Sequence, residues 1–158
     1  MKKNDLFLLI TSLLVPLLAG FIGSLFTVTG PGTWYASLTK PFFNPPDWLF
    51  APAWTLLFIL MGVALFLICR RGRREEEVIS SLKLFFIQLS FNIIWSYFFF
   101  TLQNPRLAFF EIIALWLAIV ANILAFRKID RRAAYLLFSY LLWVSFAACL
   151  NYSIWRLN

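Results

Sequence analysis

The sequence predicts an all-α integral membrane bundle of five transmembrane helices, and three observations predict it. The 158-residue chain is 62% hydrophobic and only 13% charged, with a mean hydropathy of +0.82. A soluble domain carries roughly 45–50% apolar and about 25% charged residues. Stretches 6–28, 47–69, 78–102, 105–126 and 133–155 each reach the roughly 20 mostly apolar residues that cross a bilayer. Each is a continuous apolar run, not an alternation, which excludes a closed β-barrel. The spans leave almost nothing for a soluble region, so residues 1–158 are read as one membrane domain with a long loop at 29–46.

The first span is kept as a helix and not as a removed leader. Its apolar run exceeds the 7–15 residues of a signal sequence, and no small-residue cleavage site follows it. Pro16 with Ala19, Gly20 and Gly23 predicts a kinked helix with one smooth face for packing. Between the first and second spans runs WYASLTKPFFNPPDWLFAPAW, from Trp34 to Trp54. It holds Trp34, Trp48 and Trp54 and four prolines, Pro41, Pro45, Pro46 and Pro52. Prolines resist helix continuation, so a stiff, aromatic loop is expected at the membrane surface, positioned to cover something.

The last three spans each carry a stripe of amides, small residues and aromatics. Gln88, Asn92 and Ser96 recur every four residues and share a face, with Trp95 beside them. Glu111, Ala118 and Asn122 share another, and Trp143, Ala147 and Asn151 a third, flanked by Leu150. Helix–helix packing explains any one of these stripes. Together with the rigid loop they predict an interior cavity with apolar, aromatic walls, suited to a flat hydrophobic ligand. Glu111 is the one acid in the interior of a span. An intramembrane carboxyl is either a functional group or snorkels to the surface, and the sequence leaves both readings open.

Charge predicts orientation. The N-terminus and the 70–83 and 127–132 loops carry Lys2, Lys3, Arg70, Arg71, Arg73, Arg74, Lys83, Arg127, Lys128, Arg131 and Arg132; the other side has Lys40, Arg106 and Arg156. The positive-inside rule places the N-terminus in the cytoplasm and the C-terminus outside, for a bacterial plasma membrane. The net charge of +7 is thus a topology signal, and no nucleic-acid partner is expected. Two cysteines make no disulfide framework. The absence of histidine removes the commonest metal ligand and general base, so neither a metal nor a cofactor is expected.

Three segments carry a family resemblance: WYASLTKPFFNPPDWLFAPAW, QLSFNIIWSYFFF from Gln88 to Phe100, and SYLLWVSFAACLNYSIWR from Ser139 to Arg156. In order and spacing the chain resembles the TspO/MBR family, also called translocator protein, peripheral-type benzodiazepine receptor or tryptophan-rich sensory protein. The likeness covers essentially the whole chain. It departs at Phe42 and Phe43, where the family often has a tryptophan. The resemblance implies a five-helix bundle, often a homodimer, that binds porphyrins such as protoporphyrin IX, benzodiazepine-type ligands and, in animals, cholesterol. Carried over by motif, the pocket lining is Tyr35, Trp54, Asn92, Trp95, Trp143, Ala147 and Leu150. The lid and its anchoring fall to Trp34, Pro45, Pro46 and Trp48. Leu150, Tyr152 and Arg156 match the family's cholesterol motif, a weak pattern that also fits plain interfacial anchoring.

Three functions are weighed. The leading one is a membrane receptor for porphyrins and similar flat apolar molecules, acting in tetrapyrrole transport, sensing or disposal. Without histidine it has no imidazole for haem iron, so metal-free porphyrin is expected to bind as well as haem. The second is a proton-coupled exporter of lipophilic compounds using Glu111. Five helices do not divide into equal repeats, and no second acid supplies a relay. The third is a light-dependent porphyrin-degrading enzyme, implied by some relatives. No acid–base pair, metal cluster or nucleophile triad is visible, so Trp54 and Trp143 are its only candidates.

Overall fold

The structure, a computed structural model, describes residues 3–71 and 76–158, with the Lys3 side chain left out. Lys2, Arg73 and Arg74, used above for orientation, lie outside the described residues. The elements are α1 (Lys3–Phe26), a short α2 (Trp34–Ser37), α3 (Phe50–Cys69), α4 (Glu76–Ser96), α5 (Pro105–Ile129) and α6 (Arg131–Leu157). A single 3₁₀ turn, Asp47–Leu49, leads into α3, and a wide turn, Tyr97–Thr101, extends α4. Helices α1, α3, α4, α5 and α6 are long and apolar enough to cross a membrane, and no strand occurs among the described residues.

The helix ends differ from the sequence expectation by a few residues, as α1 ends at Phe26, α5 runs on to Ile129 and α6 spans Arg131–Leu157. Helix α4 includes Glu76 and Glu77, ahead of the expected 78, and their carboxylates suit the positive end of a helix. The 29–46 loop is not wholly irregular. Thr33 accepts a hydrogen bond from Ala36 N and starts the turn of α2.

Neighbour packing runs in a ring: α1 against α3, α3 against α6, α6 against α5, α5 against α4, and α4 back against α1. Lipid supplies little hydrophobic drive between helices, so close packing must hold such a ring. Gly62 provides one close crossing. A Cβ there would lie 2.8 Å from Leu13 Cα and 3.0 Å from the Ser12 carbonyl oxygen. Pro16 has no N–H to give that carbonyl, so the bare backbone of Gly62 packs where α1 lacks its own hydrogen bond. Lower in the bundle, Phe85 of α4 stacks on Phe126 of α5 at 6.0 Å and 11°.

The basic end is clipped together. Asp130 caps α6 by accepting from Arg132 N at 2.9 Å, and Arg71 Nη2 reaches Asp130 Oδ2 at 3.0 Å. Burial alone would raise the Asp130 pKa. The Arg132 N–H, the Arg71 hydrogen bond and charge, and the Ala133 N–H outweigh that and hold it below the usual carboxylate value.

Candidate functional site

A cavity of about 520 Å³ opens inside the loop-side half of the bundle, walled by α1, α3, α4, α6 and the loop. Its size falls within the range of small-molecule sites. The wide turn shapes one wall. Leu102 N donates to Tyr97 O at 3.0 Å, one residue further than in an α-helix. The extra residue lets the consecutive Phe99 and Phe100 both line the cavity. Gln103, with φ of 50°, ends the turn, and Asn104 then caps α5 through Leu107 N at 2.9 Å.

Tyr35, Trp54, Asn92, Trp95, Trp143, Ala147 and Leu150 all line this one cavity. Trp54 meets Trp143 edge-on at 6.4 Å and stacks on Phe58 at 5.7 Å. Trp95 stacks on Phe99 at 5.3 Å, and its indole N–H donates to Asn151 Oδ1 at 3.0 Å. Asn151 Nδ2 in turn donates to the Pro105 carbonyl at 2.7 Å. Asn151 thus ties α4, α5 and α6 together behind the aromatic wall. Asn92 Nδ2 donates to the Tyr140 hydroxyl, which leaves Asn92 Oδ1 as an acceptor without a partner among the described residues.

The loop closes the end of the cavity. Tyr35 is 3% exposed and donates its hydroxyl to Asn44 Oδ1 at 3.2 Å. Burial, then the nearby Asp47 charge, push its pKa up to about 12 against the small opposing effect of Asn44. Lys40 Nζ sits 4.4 Å from the centre of the Tyr35 ring. Asn158 latches the loop, accepting from Thr39 N at 2.9 Å and donating to Thr39 O at 3.0 Å. Trp34 packs edge-on against Phe99 at 5.7 Å. Pro45 lines a separate shallow groove with Leu49 and Ala53. Pro46 and Trp48 are exposed and face away from the cavity.

Leu150 does not share a surface with Tyr152 and Arg156. Leu150 is buried at the cavity, whereas Tyr152 is half-exposed against Phe109 and Trp155. Glu111 does not snorkel. It is buried away from the cavity, and both carboxyl oxygens lack a hydrogen-bond partner among the described residues. Sequence reasoning missed the phenylalanines of the wall, Phe50, Phe58, Phe99, Phe100 and Phe146, because 19 phenylalanines give no contrast. It also read Gly20 and Gly23 as packing only, and both line the cavity.

The sequence model of the TspO/MBR family matches residues 12–156, nearly the whole chain. The chain belongs to the TspO/MBR family. It is 46% identical over 142 residues to the tryptophan-rich protein TspO of Chlorobaculum tepidum, covering 90% of each chain. It is 43% identical to the tryptophan-rich protein TspO of Archaeoglobus fulgidus, over 95% of this chain and 96% of that one. The translocator protein of Homo sapiens is 36% identical over 92% of this chain and 86% of its own. Membership in the TspO/MBR family and five apolar helices make this a multi-pass integral membrane protein.

Proposed function

We propose that this chain is a membrane receptor for flat, apolar small molecules of the tetrapyrrole class, held in the loop-side cavity with the basic end in the cytoplasm. The observation that carries the reading is the convergence of Trp54, Trp95 and Trp143 on one enclosed space. Ring faces and edges at 5–7 Å spacing suit a planar π-system. The Asn92 carbonyl oxygen is an acceptor in that wall, suited to a ligand N–H such as that of a metal-free porphyrin. Tyr35 is neutral at physiological pH, and its hydroxyl, whose proton is given to Asn44, keeps an oxygen lone pair.

The test is a titration of the purified protein with protoporphyrin IX in the dark, followed by tryptophan quenching. Trp143→Ala and Ala147→Phe are each expected to weaken saturable quenching by about tenfold, or ~1.4 kcal/mol. Non-saturable quenching that ignores both changes would mean that porphyrin only partitions into detergent. A second reading, proton-coupled export, is favoured by the unpaired Glu111 carboxyl alone. It requires that Glu111→Gln abolish pH-driven efflux with binding intact.

A further inference from the structure

The loop covers the end of the cavity, and a gap between α1 and α3 opens it to the side. At the level of Gly62, α1 and α3 touch backbone to backbone. At Gly20, the nearest atoms to a Cβ would be those of the Phe58 ring, at 2.4 Å. At Gly23, nearer the loop, a Cβ would find no atom of α3 within 4 Å, only Ser96 Oγ of α4 at 3.5 Å. The two helices therefore diverge toward the loop side. Residues that line the cavity and are also exposed stand on both sides of the gap: Phe21 and Ser24 on α1 with Thr27 just past its end, and Ala51 and Thr55 on α3; Thr29 and Asp47 of the loop do the same. Apart from Phe21 and Asp47, these residues are small.

Apart from Asp47 of the loop, the lip is apolar in effect. Ser24 Oγ donates to Phe21 O at 2.6 Å, Thr27 Oγ1 to Gly23 O at 3.0 Å, and Thr55 Oγ1 to Ala51 O at 2.8 Å. Each hydroxyl proton is engaged by its own helix, so an apolar molecule passing the lip strands no donor in hydrocarbon. Around the gap itself, from Gly20 to Thr27 on one side and from Phe50 to Phe58 on the other, no hydrogen bond or ion pair joins the two helices among the described residues. Opening the loop, by contrast, breaks both Asn158–Thr39 bonds and the Tyr35–Asn44 bond.

We propose that this slot is the path by which the ligand enters and leaves: an apolar molecule dissolved in the bilayer passes sideways between α1 and α3, while the loop stays latched. The inference rests on the cavity being a small-molecule site. It treats the loop as a fixed roof and α1 as the mobile wall.

The test uses full-length protein in phosphatidylcholine vesicles, with protoporphyrin IX as probe and stopped-flow tryptophan quenching as readout. In a Cys69→Ala, Cys149→Ala background, Ser24→Cys and Thr55→Cys are joined by a short bis-thiosulfonate linker. Thr39→Cys and Asn158→Cys are oxidised in a second protein to lock the loop. Bridging the slot is expected to slow both association and dissociation by about tenfold or more, with Kd within about twofold. Locking the loop is expected to leave both rates within about twofold. Ser24→Phe, which needs no second cysteine, is expected to slow association by about fivefold. Slowing by the loop lock, or unchanged rates in the slot-bridged protein and in Ser24→Phe, overturns the proposal. Absence of saturable quenching in the unbridged protein removes the receptor reading, and the slot with it.

Discussion

At Gly62 the first and third helices meet with no side chain between them, and at Gly23 the same two helices stand apart around open space. The loop-side half holds the cavity, the wide turn and the aromatic wall. The basic half holds the Phe85–Phe126 stack, the fully buried Val78 and Ala133, and the Asp130 clip. The contrast shows how a small bundle keeps a hollow in a membrane. The close-packed half supplies the association energy, and the other half is relieved of that task. A hollow lined by rings loses dispersion contacts, which the basic half has to offset.

The largest test of that division is Gly62→Leu. Its Cβ falls on the Leu13 backbone, which cannot step aside as a side chain can. A loss of about 3 kcal/mol is expected, read as a fall in thermal midpoint. A stable Gly62→Leu protein would mean that the Gly62 crossing is not what holds α1. Next is Glu111→Leu. A buried carboxyl without a partner is costly, so leucine is expected to raise stability by about 2 kcal/mol and to leave porphyrin affinity unchanged. A fall in stability would show that the carboxyl makes a bond in the membrane that it lacks here. The smallest effect is at the basic end. Asp130→Ala is expected to cost about 1 kcal/mol through the lost cap. Because the native pKa of Asp130 is lowered, its contribution is present above the ordinary carboxylate range. It is lost as pH falls through the native pKa. The variant's unfolding should therefore depend less on pH on the acid side than that of the parent protein.

The five spans were legible because bilayer thickness imposes a run length that few other structures need. The stripes of Asn92, Trp95, Trp143 and Ala147 were legible because helical spacing puts them on one face, and the structure places them around one space. The four-residue α2 was not, since it is too short to show a period. The wide turn was not, because it is a change of hydrogen-bond partner that composition does not record. For Glu111, spacing alone left a surface and a buried position equally open; the packing of α5 decides it. Trp48 and Pro46, expected in the lid and its anchoring, are exposed at the turn Asp47–Leu49 and do not line the cavity.

The wide turn at Tyr97–Thr101 also sets a reading frame in space. One residue beyond regular helical count separates Trp95 from the start of α5, so the rings on either side of it are out of phase with an ordinary helix. Deleting a single residue there would leave composition and hydrophobicity almost untouched. It would rotate the part of α4 that follows the deletion by about 100° and carry Phe99 or Phe100 out of its place in the cavity wall. In this protein a one-residue deletion in that turn is a larger change than most substitutions in the wall it supports.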